Sequence, residues 1–518
     1  MSPERSVLAG LQRFDGVVFL PAAPAAPGVH RVHATGRADV THVSTDDLAR
    51  TAYIRRALIE QIASANRKVL FCSFLFADEE IVRALCAAAE RLHGGVYVLT
   101  ALGKHLRAEI LEPDSDVDAN TAKLQERARR HEDHLQRLAH AGVWLRSAED
   151  CHAKFCVLDD ESAVVTSANA TQEAYESNPE DGLVVQHAPA ARELGRLFAY
   201  VWQHLATLES TPGARLDVHS LTGKRPPGWR PLVDCGGVDP VATLRKEEGS
   251  LQRAAIEVID RAKTRLVIAS YSLMGMESHP IGEALKRAVE RGVELDLLLQ
   301  PRNHVSAQRV TCAWLVGLAP DRVRLHGHRR THTKSIVADG QLALIWTGNL
   351  EAAHGWDNGI EVGLRVDDSG VASAIASWTS DVMHRATHIA LASPTVRELV
   401  EHGQTRALTG EWTLNLPVGV SPERVGAAFE KHPLELLELS GGLALRCADE
   451  MLMDVTMEEA GRRIDGLRTR RVEGHLVSRS RGWVSDCTLR LVAAPEPPSV
   501  QNQQPTQQQY RGKKGRRR

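Results

Sequence analysis

Apolar residues in this chain fall into short blocks whose order repeats. KVLFCSFLF at 68–76 and RLVIASYSL at 265–273 are nearly continuous apolar runs of strand length, the pattern of strands covered on both faces. Each leads into a stretch with apolar residues at helical spacing, EEIVRALCAAAERL or IGEALKRAVERG, and then into a second apolar run, GVYVLTAL or VELDLLLQ. The two series align Ser73 with Ser270. Strand, helix and strand in that order make a βαβ unit with a right-handed crossover. The pattern predicts an α/β protein of two similar lobes, each a mixed, mostly parallel sheet with flanking helices.

Breaker residues set the boundaries. The segment 211–240 is rich in Pro and Gly and reads as a linker, which puts lobe one at 51–210 and lobe two at 241–395. Lobe one carries an excess of residues in KHLRAEILEPDSDVDANTAKLQERARRHEDHLQRL, an acidic loop followed by a helix. That insertion is either a lid over the active face or a solvated helix. At 1–50, FDGVVFL and VHRVHA read as β-type segments packing on lobe one. Between 400 and 495 the runs become short and alternating, as in EWTLNL, LELLEL, GLALRC, EGHLVSRS and WVSDCTLRLV, with one amphipathic stretch, MEEAGRRIDGL. This predicts a small α+β accessory domain, followed at 496–518 by a disordered basic tail.

A second repeat lies late in each lobe. His152-Ala-Lys154-Phe-Cys-Val-Leu-Asp159 and His332-Thr-Lys334-Ser-Ile-Val-Ala-Asp339 share the pattern HxKxxxxD, 180 positions apart. Ser167 and Asn169 follow Asp159 at the same offsets at which Thr347 and Asn349 follow Asp339, and Glu180 and Glu361 come after them. Read as strands, these segments place His152 and Lys154 on one face, and likewise His332 and Lys334. The turn residues after each Asp, Asp339-Gly340 above all, predict hairpins whose returning strands bring Ser167 and Asn169, or Thr347 and Asn349, beside the His and Lys. Imidazole, ammonium, hydroxyl and carboxamide together are parts for displacement at phosphorus. Covalent catalysis through one imidazole needs a second on the far side of the phosphorus, so two lobes facing each other across a pseudo-twofold axis would complete one site.

HxKxxxxD followed by Gly-Ser-x-Asn and a later Glu is the HKD pattern, and over roughly residues 50 to 395 the chain resembles the phospholipase D superfamily. The resemblance implies a phosphodiesterase acting through a phosphohistidine, with His152 as nucleophile and His332 as general acid. It implies a motif set of His152, Lys154, Asp159, His332, Lys334 and Asp339, in which the two Asp residues support their lobes rather than touch substrate. Ser167, Asn169, Thr347 and Asn349 would bind substrate, while Glu180 and Glu361 would hold the distal imidazole nitrogens and fix their tautomers. The usual Gly-Ser is Thr166-Ser167 in one copy and Trp346-Thr347 in the other, so a narrower second phosphate pocket is expected.

Composition narrows the setting. With 43% hydrophobic and 25% charged residues the chain is of the folded, soluble type. No apolar run reaches the length of a membrane span, and MSPERSVLAGLQRF lacks the pattern of a secretion signal; a cytoplasmic protein is expected. The eight cysteines form no CxxC pair and the 23 histidines no HExxH, so reduced thiols, no metal and no cofactor are expected. A zinc site at Cys151 and Cys156 would consume the residues the phosphoryl chemistry needs. Net charge is only −2, yet RGKKGRRR at 511–518 carries six positive charges, a contact for nucleic acid or an anionic lipid surface. With that tail, Arg329 and Arg330 just ahead of the second motif, 4% aromatic residues and no anchor, the expected activity is that of a nuclease on DNA or RNA, which the resemblance links to defence or repair. The alternatives are a cytosolic phospholipase D or phosphatidyltransferase, and a non-catalytic nucleic-acid-binding protein.

Overall fold

The apolar runs that open the lobes become central strands because almost every side chain on them is buried. Val69–Cys72 is buried throughout and Arg265–Ala269 beyond its first residue. The structure, a computed structural model, describes residues 16–22, 37–46, 51–103, 105–106, 121–222, 229–230, 235–245, 248–303, 305–394, 411–416, 418–430, 434–439, 442–447, 450–452, 457–459, 468–478 and 483–493. By its contacts the chain divides into one unit of residues 11–404 with 481–483, which holds both lobes, and a second made of the remainder.

Each lobe is built on a 10-stranded sheet. In lobe one Val69–Cys72 pairs in parallel with Val96–Leu99, and that strand with Trp144–Ala148. In lobe two Arg265–Ala269, Glu294–Leu299 and Val323–Gly327 repeat the arrangement. The crossovers are the predicted helices, Glu79–Arg91 and Pro280–Glu290, the first capped by Asp78, whose carboxylate accepts from the Glu80 and Ile81 amides. On the other side of each central strand the chain runs through hairpins, Phe155–Leu158 with Ser162–Thr166 and Ser335–Ala338 with Leu342–Trp346. The sheets are therefore mixed, but the expectation that they are mostly parallel is corrected. Parallel pairing is confined to the three strands joined by crossovers, because tight turns can only join antiparallel neighbours.

One N-terminal segment sits elsewhere than expected. Val17–Pro21 pairs with His388–Ala392 at the edge of the lobe-two sheet, so FDGVVFL belongs to lobe two. Val17, Val18, Phe19 and Leu20 are all buried there, and the Asn303 carboxamide both accepts from the Phe19 amide at 2.9 Å and donates to the Phe19 carbonyl at 2.8 Å. Val40–Asp46 does join lobe one, beside Glu180–Val185. VHRVHA lies outside the described residues, as does the basic tail.

The lobes share a core. Leu194 and Phe198 of the helix Ala188–Tyr200, and Ile375 and Trp378 of the helix Ser369–His384, are buried in one apolar cluster with Val165 of lobe one and Ile345 of lobe two. The insertion helix Thr121–His140 is docked as well. Its Leu135, Leu138 and Ala139 join the lobe-one core, and the buried His131 ring accepts from the Phe76 amide at 2.9 Å and lies 2.9 Å from the Ala101 carbonyl. Burial pushes that imidazole down to about 4, so it stays neutral and its second nitrogen donates to Ala101. The acidic loop before it lies outside the described residues.

In the second unit, seven strands form one sheet and Ser421 caps a helix, Pro422–Phe429, that buries Val425 and Phe429. Of MEEAGRRIDGL, Met457–Glu459 forms an edge strand and the rest lies outside the described residues.

Candidate active site

The motif strands begin later than the sequence suggests. Phe155–Leu158 and Ser335–Ala338 are the strands, and each His-x-Lys lies in the extended segment leading in. The ladder still reaches the lysines, since the Lys154 carbonyl accepts from the Thr166 amide at 3.1 Å and the Lys334 carbonyl from the Trp346 amide at 3.2 Å.

Asp159 and Asp339 sit at the far end of those strands, so they are not part of the reacting set. Both occupy left-handed backbone, with φ of 57° and 52°. The Asp159 carboxylate accepts from the amides of Asn66 at 2.7 Å and of Arg67 and Lys68 at 2.8 Å. Asp339 repeats this on Lys263, Thr264 and Arg265. They anchor the chain where it enters each central strand. Burial pushes both carboxyls up, but the amide donors outweigh it and hold them below the ordinary value. A depressed folded-state value contributes stability that is present above the unfolded carboxylate range and lost as the pH falls through the folded one. Asp159→Asn and Asp339→Asn, which tolerate the same backbone, should each lower unfolding free energy by about 1–2 kcal/mol and leave kcat within about twofold of wild type. Urea unfolding beside turnover measures both; normal stability with lost turnover would return these residues to the reacting set.

The reacting end is built across the lobes. His152 Nδ1 lies 2.9 Å from Glu361 Oε1, and His332 Nδ1 lies 3.0 Å from Glu180 Oε1. The backbone repeats the crossing, because the His152 amide donates to the Ile360 carbonyl at 3.1 Å and the His332 amide to the Pro179 carbonyl at 3.0 Å. Each carboxylate is braced by the hydroxyl of its own lobe, Ser167 donating to Glu180 and Thr347 to Glu361. A neutral imidazole that donates Nδ1–H to a carboxylate carries its lone pair on Nε2. The arrangement leaves two Nε2 atoms, one per lobe, not engaged by the crossed carboxylates.

Both lysines are buried among these groups. Lys154 Nζ donates to the His152 carbonyl at 2.5 Å and, across the lobes, to the Thr347 carbonyl at 3.5 Å; Lys334 Nζ donates to the His332 carbonyl at 2.7 Å. Ser167 and Thr347, expected to bind substrate, are instead committed to the glutamates and to the amides of Asp181 and Val362 at 3.0 Å. Asn169 and Asn349 each keep a buried side-chain oxygen without a hydrogen-bond partner. Trp346 does not narrow the site. Thr347 faces the glutamate, so its neighbour points the other way, into the lobe-two core against Trp356 with centroids 5.6 Å apart.

Several site residues escaped the sequence reading. A Cβ on Gly348 would lie 2.8 Å from the Glu361 carboxylate, so glycine lets that side chain lie flat on the backbone; its place beside Thr347 was the available signal. Asp181 is buried with its carboxylate 3.4 Å from the Lys334 amide, and nothing but adjacency to Glu180 marked it. Phe74 and Tyr271 border His152 and His332, with centroids at 6.5 and 5.4 Å. Both follow the aligned serines Ser73 and Ser270, which was a usable signal.

The electrostatics of the two crossed pairs differ. Burial, then Lys154, pushes the His152 imidazole below its ordinary value against the pull of Glu361. Glu361 is pushed up by burial, but His152, Lys154 and Thr347 outweigh it and hold it low. Glu180 is pushed up to about 8 by burial, with Lys334 the main opposing charge, and Lys334 is pushed down to about 7 by burial. His152 is thus kept neutral beside an ionised carboxylate, as a nucleophile requires. Among the described residues no group of three or more His, Cys, Asp or Glu is placed to hold a metal ion. Cys72 and Cys151 meet with sulfurs 3.8 Å apart, as thiols.

Known proteins resemble this chain over both lobes. The family model described as cardiolipin synthase, PLD-like domain, matches residues 58–202 and 255–383. The cardiolipin synthase A of Pectobacterium carotovorum subsp. carotovorum (strain PC1) is 24% identical over 249 residues, 45% of this chain and 48% of that protein. The chain thus spans about half the length of the curated relatives it matches. Among solved structures, a phosphatidylserine synthase of Haemophilus influenzae Rd KW20 aligns at 12% identity and TM-score 0.47, covering 76% of this chain and 94% of its own. A phospholipase D family member, Nuc from Salmonella typhimurium, aligns at 19% identity and TM-score 0.24 over 32% of this chain and 95% of its own. The two matched stretches make up more than half of the chain and contain both His-x-Lys pairs; the chain belongs to the PLD-like domain family, within the phospholipase D superfamily of enzymes acting on phosphodiester bonds.

Proposed function

We propose that the protein is a metal-independent phosphatidyltransferase that exchanges the alcohol of a phospholipid phosphodiester through a phosphohistidine. The observation that carries the reading is the crossed pairing of His152 with Glu361 and His332 with Glu180, which makes two imidazoles of opposite lobes into one site. His152 Nε2 attacks phosphorus, the bond to the leaving alcohol breaks, and that alcohol's oxygen takes the proton of His332. A second alcohol, or water, then returns a proton to His332 while its oxygen attacks phosphorus and breaks the bond to nitrogen. Lys154 and Lys334 supply the positive charge, and Asn169 and Asn349 donors, for the phosphoryl oxygens.

Lipid is favoured over nucleic acid for two reasons. The curated relatives are named cardiolipin synthase A, and the wall beside His152 is an apolar cluster of Phe74, Leu75, Ala101 and Leu106. The nuclease expectation has no matching support. Its basic tail lies outside the described residues, and the exposed Arg329 and Arg330 suit the phosphates of an anionic membrane as well as those of DNA. No helix among the described residues is long and apolar enough to cross a membrane, so contact with lipid would be at the surface.

Purified protein in EDTA should convert phosphatidylglycerol vesicles to transfer or hydrolysis products while leaving labelled single-stranded DNA, duplex DNA and RNA intact. Cleavage of nucleic acid without lipid turnover would replace this reading with the nuclease. Loss of activity in the chelator with recovery on adding zinc or magnesium would overturn metal independence.

A further inference from the structure

Two thiols lie beside His152, and the second lobe has neither. Cys72 ends the central strand Val69–Cys72, and Cys151 directly precedes His152. Their sulfurs are 3.8 Å apart, and Cys72 Sγ also donates to the Ala153 carbonyl at 3.2 Å. Cys72 thus touches the residues on both sides of His152. Strand pairing fixes the counterparts in lobe two. Phe155 pairs with Cys72 and Ser335 with Ala269, each one residue after its motif lysine, so Ala269 stands for Cys72 and Thr331 for Cys151. The repeated backbone forms there with an alanine and a threonine, so holding a His-x-Lys segment in place does not require thiols.

The backbone at Cys151 leads straight to the reacting atoms. Cys151 forms a bridge with Ile360 of lobe two. The Ile360 amide donates to the Asp150 carbonyl at 2.9 Å, and the His152 amide to the Ile360 carbonyl at 3.1 Å. The residues that follow on the two strands, His152 and Glu361, are the pair joined through Nδ1 at 2.9 Å. The two thiols differ in access, since Cys72 is 1% exposed whereas Cys151 is partly exposed. An accessible thiol in contact with a second that can resolve it is the arrangement of redox-sensing cysteines.

We infer that Cys72 and Cys151 form a reversible disulfide that switches the site off, with a hydroperoxide as the oxidant. The inference rests on the reading of His152 as a reacting group and is independent of whether the substrate is a lipid. The peroxide oxidises the accessible Cys151 sulfur to a sulfenic acid; its O–O bond breaks, and an alcohol departs, or water where the oxidant is hydrogen peroxide. The Cys72 sulfur then attacks the Cys151 sulfur, the S–S bond forms, the S–O bond breaks, and hydroxide leaves with the Cys72 proton as water. The two thiols together give two electrons and two protons to one peroxide. A dithiol reverses the change by exchange. Sulfurs in a disulfide are about 2.05 Å apart, so this pair must close from 3.8 Å by about 1.7 Å, and Cys72 loses the proton it donates to Ala153. Both changes act on the peptide units flanking His152 and draw its ring from Glu361. A shift of ~1 Å in a reacting group costs on the order of 10²-fold.

The test treats the full-length protein with a slight excess of hydrogen peroxide. Digestion without reductant should release peptides linked through Cys72 and Cys151, and turnover of a p-nitrophenyl phosphodiester should fall by roughly tenfold to a hundredfold. Dithiothreitol should undo both. Cys151→Thr and Cys72→Ala, which import the lobe-two residues, should keep their turnover and lose the response to peroxide. Each variant removes the disulfide by itself, so the partly exposed Cys151 position still decides the matter if the buried Cys72 position does not tolerate change. Absence of the linked peptides, a loss that dithiothreitol does not restore, equal inactivation of wild type and variants, or a linked protein with undiminished turnover overturns the switch. An untreated wild type that cleaves no phosphodiester counts against the parent reading instead, and the linked peptides then decide the modification site alone.

Discussion

Acid-quenched enzyme caught in turnover should carry the substrate phosphoryl group on His152. His152 is paired with Glu361, a carboxylate held low by His152, Lys154 and Thr347, while burial and Lys154 push its own imidazole below the ordinary value, toward the neutral state in which Nε2 attacks. His152→Ala and His332→Ala should each lower turnover by at least ~10²-fold, the scale of one acid–base group, but they should separate when the leaving group changes. p-Nitrophenolate leaves without needing a proton, so His332→Ala should regain a burst of about one p-nitrophenolate per enzyme, its second step still lacking the base, and His152→Ala should show none. Label recovered on a peptide containing His332, or a burst in the His152 variant, would reverse the two roles.

The crossed carboxylates give the second large effect. Glu361→Gln removes the acceptor that orients His152, and Glu180→Gln does the same to His332. Each amide can turn an N–H toward Nδ1 and favour the wrong tautomer, for which a loss of roughly 10²- to 10⁴-fold in kcat is expected. The crossing sets which variant resembles which. Glu180→Gln, a change in lobe one, should behave like the lobe-two His332→Ala and respond to the p-nitrophenyl leaving group, whereas Glu361→Gln should not. The opposite pairing of phenotypes would mean that each glutamate serves the histidine of its own lobe, against the geometry.

These two experiments address a relation that strand patterning could not supply. The HxKxxxxD copies, the hydroxyls and amides at matched offsets, and the later glutamates are local repeats, and a repeat in sequence implies a repeat in backbone. The βαβ units were legible because their strands are buried on both faces and their helices on one, which leaves continuous and 3.6-periodic runs. Local pattern says nothing, however, about which copy of a residue meets which. His152 meets Glu361, and not Glu180, because the lobes face one another and the strand ends carrying the glutamates reach across the shared face.

The same limit explains the other departures. Asp159 and Asp339 belong to the motif by spacing, but four strand residues separate them from the lysines, and a strand rises about 3.3 Å per residue, so one motif serves two ends of a sheet. Ser167 and Thr347 were candidates for substrate because hydroxyls suit phosphate; burial commits them to the glutamates. Trp346 looked like an obstruction until strand alternation turned it into the core. The edge strand Val17–Pro21 joins the lobe more distant in sequence, since its apolar residues need cover and Asn303 fixes its backbone. The sequence alone determined the two-lobed α/β plan, the superfamily and the motif residues that the lobes repeat, since each depends on local order and spacing. Tertiary structure alone decided the crossed pairing and the bracing of the glutamates, because the first depends on contacts between residues more than a hundred positions apart and the second on which side chains are buried beside one another.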